Sequence, residues 1–280
     1  MYTNLKKENL DMSKKMKDWY KYTEEGSFFG DFYIKGDHSL EGHIIDTPMS
    51  NAQRTDLEIK GLIDILKIDN NFNISILDAP CGYGRHTKVL VEKGYQVSCL
   101  DINPAFLKRI KENIPNIINV KECELKEIHY EDNSFDIAIN MFYSFGFYTN
   151  EYLNIQTAKE FYRVLKPGGK FLLHTDVNMN RIETGTYKLQ EIRTLEDGGK
   201  LFINETYNKN TKRIDGAWSI LDNAGHGSAH EYSMRVYSKE EFEMLFRCVG
   251  FSKIEIYGSF NNENREYTDN SEEIIFVCTK

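Results

Sequence analysis

The run Asp78-Ala79-Pro80-Cys81-Gly82-Tyr83-Gly84-Arg85 sets a carboxylate just ahead of two glycines separated by one residue. Such a pair allows a tight turn and lets a ligand approach the backbone closely. A second carboxylate, Asp101, follows about 20 residues on, the spacing at which an acid ending the next strand accepts hydrogen bonds from ribose hydroxyls. Asp101 could instead cap the helix that Asn103 and Pro104 begin. Together the glycines and the acid fit a nucleoside-binding site. Thr87 stands where a dinucleotide site wants a third glycine or alanine. Asp78 would repel a pyrophosphate and attract a cationic amino-acid moiety. Both disfavour an NAD(P)-dependent oxidoreductase, which stays as the alternative reading.

A second constellation is aromatic. Asn140-Met141-Phe142-Tyr143-Ser144-Phe145-Gly146-Phe147-Tyr148 would exclude water from a reacting centre and stabilise a cation through ring faces. Phe142 also suits a core position. Proton transfer, where needed, could fall to Tyr143 or to an imidazole, which titrates near neutrality. His174 would end a strand, while His226 and His230 sit beside the Asn223-Ala224-Gly225-His226-Gly227 turn. An amine acceptor would need no base. Trp19, Tyr20, Tyr22, Phe28, Phe29, Phe32 and Tyr33 form an N-terminal cluster interleaved with Gly26, Gly30 and Gly36. Two readings fit it equally, a substrate cap hinged at its glycines or a homodimer contact. No carboxylate or histidine cluster has metal-ligand spacing, so no metal site is expected.

These residues require a frame. Asp56 would cap a helix whose apolar face is Leu57, Ile59, Leu62, Ile63 and Leu66. Strands are expected at 74–77, 95–100, 117–120, 135–142 and 170–175, with helices at 104–113 and 151–165 and Pro167-Gly168-Gly169 ending the latter. Strands alternating with helices imply right-handed crossovers and a parallel sheet covered on both faces. Beyond residue 177 the pattern becomes antiparallel, with strands at 200–207, 213–220 and 231–237. A helix closed by Gly250 and strands at 253–257 and 273–279 complete the chain. The expected fold class is α/β: a Rossmann-like, seven-stranded, mostly parallel sheet flanked by helices. Residues 1–50 would form an N-terminal cap, 51–176 the nucleoside-binding core, 177–237 a small antiparallel β insertion after strand five, and 238–280 the closing elements.

The chain resembles the class I S-adenosylmethionine-dependent methyltransferases over about residues 56–176. The resemblance is carried by Asp-x-x-Cys-Gly-x-Gly-Arg at 78–85, the strand-two acid, Asn133-Ser134-Phe135-Asp136, and Leu165-Lys166-Pro167-Gly168-Gly169. It implies S-adenosyl-L-methionine as cofactor, with Asp78, Gly82 and Gly84 holding its methionine half and Ala79, Pro80, Arg85 and Asn140 around them. Asp101 would hold the ribose, Ile102 the adenine face, Glu124 the adenine amino group, with Leu125 beside it. Cys123 stands where many relatives carry glycine, and Glu124 replaces the usual aspartate. The implied reaction is in-line displacement onto an O, N or C atom of a small molecule, with Tyr20, Tyr22, Phe29, Tyr143, Phe145, Tyr148 and His230 around the acceptor. The Asx-Pro-Pro-aromatic pattern of nucleic-acid amino methylation and the paired-Glu loop of arginine methylation are both missing. The Ser144-Phe145-Gly146-Phe147 turn is similar to that of sugar N-methylating relatives. A methyltransferase fold that binds the cofactor without catalysis is the remaining alternative.

Composition narrows the partners. The 280 residues are 40% hydrophobic and carry a formal charge of −8, which gives no attraction to a phosphate backbone. No apolar run approaches membrane-spanning length and no secretory leader is visible, so neither a nucleic acid nor a membrane is expected. The five scattered cysteines read as free thiols and point to a cytoplasmic protein.

Overall fold

The structure, a computed structural model, describes residues 19–21, 27–41, 48–69 and 72–280. Its central layer is a seven-stranded sheet of β1 (Ser75–Asp78), β2 (Gln96–Asp101), β3 (Asn119–Glu122), β4 (Phe135–Asn140), β5 (Leu165–Thr175), β10 (Lys253–Tyr257) and β11 (Ile274–Thr279). Strand order is β10-β11-β5-β4-β1-β2-β3. Only β11 runs against its neighbours, pairing antiparallel with both β5 and β10. Ile76 and Leu77 are fully buried, as expected for a strand covered on both faces. Strand order reverses between β1 and β4, so the crevice beyond their carboxyl ends is where a ligand belongs.

Caps fix the flanking helices. Ser50 opens α2 (Asn51–Leu66) through a capping box with Gln53, so the helix starts more than a turn before Asp56, which lies exposed along it. Gly84, at φ 88°, precedes α3 (Arg85–Glu92). Asn103 caps α4 (Pro104–Asn113), accepting from Ala105 and Phe106 N–H, which leaves Asp101 free of that duty. On the other side of the sheet, α5 (Glu151–Val164) and α7 (Lys239–Val249) bury an aromatic core in which Phe161 stacks on Phe171 and Phe246 meets Phe276 edge-on.

Two sequence-based boundaries move for physical reasons. The strand expected to reach Phe142 stops at Asn140, because Phe142 and Tyr143 adopt left-handed backbone at φ 57° and 49°. That conformation is costly for bulky residues. It is held by His174, whose carbonyl accepts from Tyr143 N–H at 2.9 Å and whose Nδ1 accepts from Phe142 N–H at 3.2 Å. The Pro167-Gly168-Gly169 turn ends no helix by itself, since β5 already begins at Leu165, opposite Phe135.

After β5 and the short helix α6 (Met179–Glu183) comes a separate antiparallel sheet of β6 (Gln190–Thr194), β7 (Lys200–Asn208), β8 (Arg213–Leu221) and β9 (Gly227–Arg235). Four strands form where three were expected, and β9 starts nearer the turn. The N-terminal segment docks on this sheet. Ser39 bridges Leu195, and α1 (Asp31–Asp37) lies against β8 so closely that a Cβ on Gly36 would fall 2.6 Å from the Trp218 ring. Gly36 is therefore a packing requirement and not the hinge its composition suggested, while Gly26 lies outside the described residues. No helix among the described residues is long and apolar enough to cross a membrane.

Candidate functional site

Two cavities meet above the carboxyl ends of β1, β4 and β5. The first is lined by the glycine loop (Pro80, Gly82, Tyr83, Arg85), by Asp101 and Ile102 after β2, and by Glu124 and Leu125 after β3. Asp101 is turned so that one carboxylate oxygen accepts from Gly82 N–H and the other from Asn103 N–H, each at 2.8 Å. Burial pushes its carboxyl up to about 6, against the lowering effect of those N–H groups. Ile102, Leu125 and Phe106 supply an apolar slot beside it. A Cβ at Gly82 would meet nothing within 4 Å, so the loop leaves open space there. Arg85 Nη2 is buried at this wall without a hydrogen-bond partner among the described residues.

The second cavity, of about 350 Å³, lies between the core and the four-stranded sheet. Phe29, Tyr33, Phe142, Ser144 and Phe147 line both cavities, so the two share a wall. Trp19, Phe28, Trp218 and Tyr232 add aromatic surface, and Asp37, Arg54, Asp176, Glu191, Arg193 and Glu205 add charge.

Beneath the shared wall runs a buried ionic network. Asp37 of α1 takes Arg54 Nη2 at 2.7 Å and the Tyr83 hydroxyl at 2.5 Å. Glu58 takes Arg85 Nη1 at 2.5 Å and His86 Nε2 at 2.8 Å. Although burial opposes it, the Arg85 guanidinium and the His86 contact hold the Glu58 carboxyl well below the usual range. Burial, seconded by Arg85, depresses His86 to about 4. Arg85 also stands 4.4 Å from the Phe142 ring centroid, a cation–π contact tying the network to the strained turn after β4.

The sequence-derived candidates divide sharply by position. Pro80, Gly82, Arg85, Asp101, Ile102, Glu124 and Leu125 line the first cavity. Asp78 does not; it is 1% exposed, takes the Thr87 hydroxyl at 2.5 Å, and is pushed by burial up to about 7. Ala79 and Asn140 are buried and joined to each other, Asn140 Nδ2 donating to the Ala79 carbonyl at 3.0 Å. Gly84 packs on α4, where a Cβ would meet Ile110 at 2.7 Å. Tyr20, Phe29, Phe145 and Tyr148, expected around the acceptor, all line the first cavity, and only Phe29 reaches the second as well. Tyr22 lies outside the described residues.

The proton-transfer candidates are placed against that use. His174 is fully buried, 2.8 Å from Glu273, and lines neither cavity. Its position at the end of β5 suggested access, but its side chain points into the sheet–helix core. Tyr143 lines the second cavity, yet its hydroxyl donates to the Arg235 carbonyl and accepts from Tyr237 N–H at 3.1 Å. Burial also drives its hydroxyl well above the ordinary range. His226 stands in the exposed β8–β9 turn beside Asp222 at 3.3 Å, and His230 rests on Phe32 with ring centroids 4.4 Å apart. Neither lines either of these two cavities.

Sequence reasoning missed Asp37, Arg54, Glu205 and Asp176 as residues lining the second cavity. The last was legible as an acid just after β5; the others come together only through docking of α1 and the second sheet.

Comparison with known proteins agrees with this architecture. The family profile for the methyltransferase domain matches residues 77–173. The ubiquinone/menaquinone biosynthesis C-methyltransferase UbiE of Rickettsia akari is 33% identical over 205 residues, covering 66% of this chain and 71% of that protein. The putative methyltransferase YqeM of Bacillus subtilis is 24% identical over 73% of this chain and 83% of its own length. Among solved structures, the CcbJ methyltransferase from Streptomyces caelestis superposes with a TM-score of 0.67 at 16% identity, over 80% of this chain and 89% of that one. S-adenosylmethionine-bound CalS10, an amino pentose methyltransferase from Micromonospora echinaspora, gives 0.59 at 17% identity, over 79% and 89%. At such identities the structural likeness speaks for the fold.

The fold and the sequence relatives define a class I methyltransferase, a transferase built on a Rossmann-like sheet. The chain belongs to the S-adenosylmethionine-dependent methyltransferases, and S-adenosyl-L-methionine is its methyl donor. That membership sets the NAD(P) reading aside.

Proposed function

We propose that the enzyme transfers the methyl group to an O, N or C atom of a small molecule held in the second cavity. The observation that carries this is the shared wall: Phe29, Tyr33, Phe142, Ser144 and Phe147 bound both spaces, so occupants of the two would meet there. A volume of about 350 Å³ suits a small acceptor. The relatives' printed activities, a C-methyltransferase of ubiquinone/menaquinone biosynthesis and an amino pentose methyltransferase, support this reading. The formal charge of −8 offers nothing to a polyanion.

The first cavity fits the donor. Asp101 would accept from the ribose hydroxyls while its hold on Gly82 and Asn103 keeps the loop in place. Ile102, Leu125 and Phe106 would enclose the adenine, with Glu124 near its amino group. The unpartnered Arg85 Nη2 suits the amino-acid carboxylate, a charge-assisted contact. Asp78, sealed beneath the loop by Thr87, would support the turn and not touch the donor. When bound, the donor supplies an activated sulfonium methyl group. The protein's part is alignment and exclusion of water, for which the aromatic wall is suited.

Titration calorimetry with S-adenosylmethionine and S-adenosylhomocysteine tests the site. The wild type should bind both, and Asp101→Ala should bind each at least about tenfold more weakly, as expected when a charged hydrogen-bond acceptor is lost. Undiminished binding by the variant would remove Asp101 from the site.

A further inference from the structure

The strained turn after β4 is held by a buried pair of side chains that lie outside both cavities. Phe142 and Tyr143 adopt left-handed backbone one after the other, and two bulky residues stay in that region only where their surroundings impose it. Phe142 N–H meets His174 Nδ1 at 3.2 Å, and Tyr143 N–H meets the His174 carbonyl at 2.9 Å. Across the ring, His174 Nε2 lies 2.8 Å from one oxygen of Glu273. The second Glu273 oxygen accepts from Phe260 N–H at 3.1 Å. His174 is fully buried and Glu273 is 1% exposed.

A backbone N–H can only donate, so Nδ1 must be bare to receive it. The ring hydrogen then sits on Nε2, where a carboxylate oxygen takes it. The other neutral tautomer would set two N–H groups face to face in a dry interior, a costly arrangement. Glu273 thus selects the form of His174 that the turn requires. What the turn carries is the Phe142 ring, which lines both cavities. That ring also meets the His174 ring edge-on, with centroids 4.9 Å apart, and backs the Arg85 guanidinium at 4.4 Å.

We propose that Glu273 is a positioning residue for methyl transfer: it fixes the His174 tautomer that holds Phe142 in the wall between the two cavities. Neither Glu273 nor His174 lines either cavity, so both act through Phe142. The proposal rests on the first cavity being the donor site.

Glu273→Gln separates this role from simple packing. Glutamine keeps the shape but offers one oxygen where glutamate offers two, so Phe260 N–H and His174 Nε2–H cannot both be served. The Phe260 backbone is clamped against α2, where a Cβ on Gly61 would fall 2.3 Å from its carbonyl oxygen. The turn after β4 is already strained and should be the one to yield. Long-range proton–nitrogen NMR on the full-length protein, with the His174 ring assigned through its contacts to Phe142 and Phe260, reads the tautomer directly. The hydrogen should sit on Nε2 in the wild type and on Nδ1 in Glu273→Gln. In titration calorimetry the same variant should bind S-adenosylhomocysteine at least about tenfold more weakly. His174→Asn, whose Oδ1 stands where Nδ1 does, should bind it within about threefold of the wild type. His174→Leu loses the same Glu273 contact but offers no acceptor, and should fall at least about tenfold. A hydrogen on Nδ1 in the wild type, a tautomer unmoved by Glu273→Gln, or equal affinities in His174→Asn and His174→Leu would overturn the proposal. Should the histidine variants fail to fold, the two spectra decide alone. Wild-type protein with the expected tautomer that bound no S-adenosylhomocysteine would instead strike at the reading of the first cavity.

Discussion

At the scale of single residues, burial sets how tightly the acids hold their protons. Asp78, Asp101 and Glu205 are all raised by burial, to about 7, 6 and 7. A carboxyl raised in the folded state binds its proton more tightly there than in the unfolded chain, whose value is about 4. Its contribution to stability is complete below that value and is lost as pH rises through the folded one. His86, depressed to about 4, acts oppositely, but only below its ordinary 6.5. Between about pH 6.5 and 8 the carboxyls therefore dominate. The urea midpoint of the ligand-free protein should fall across that window, and Asp78→Asn should flatten the fall; a midpoint independent of pH would contradict the buried-acid reading. The histidines separate in the same way. His174→Ala breaks a fully buried contact with Glu273 and should cost about 3–5 kcal/mol in urea unfolding. His226→Ala, at an exposed turn, should change stability by no more than about 0.5 kcal/mol and leave methyl transfer intact. Loss of turnover in His226→Ala with unchanged stability would restore it as a catalytic candidate. Sequence brought Asp101 and the glycine loop together, and both line the first cavity, because spacing along adjoining strands encodes their neighbourhood. It misplaced His174 because proximity to a strand end does not reveal which face a side chain takes.

Among elements, the seven-stranded sheet was legible throughout, since alternating apolar runs and capped helices report burial directly. The exceptions are instructive. Ser50 and Gln53 outcompete Asp56 as a helix start because a capping box satisfies two backbone groups reciprocally. The turn at Phe142–Tyr143 was invisible because its left-handed backbone is imposed by His174 across the sheet. Strand β6 was missed because only one residue beyond it, Leu195, is deeply buried, and a polar edge strand carries little periodicity. The docking of α1 depends on Asp37, a single buried acid that meets Arg54, Asn51 and Tyr83 at once. Asp37→Ala would take from the buried Arg54 guanidinium one of its carboxylate partners, at a cost of about 3–5 kcal/mol, and would release the Tyr83 hydroxyl from its place at the first cavity. Chemical denaturation and S-adenosylhomocysteine titration of the same variant check both effects. An unchanged urea midpoint would show that α1 is held by its aromatic contacts instead.

At the scale of the whole molecule, the N-terminal segment belongs to both cavities. Tyr20, Phe29 and Tyr33 line the first cavity, and Trp19, Phe28, Phe29, Tyr33 and Asp37 help build the other. The second space is complete only when this segment is seated, and once seated it covers the first. Catalysis should then have a compulsory sequence: donor before acceptor, methylated product away before the spent donor. In steady-state kinetics, S-adenosylhomocysteine should compete with S-adenosylmethionine but act as a mixed inhibitor against the acceptor. Competitive inhibition against both would mean that either substrate can enter first.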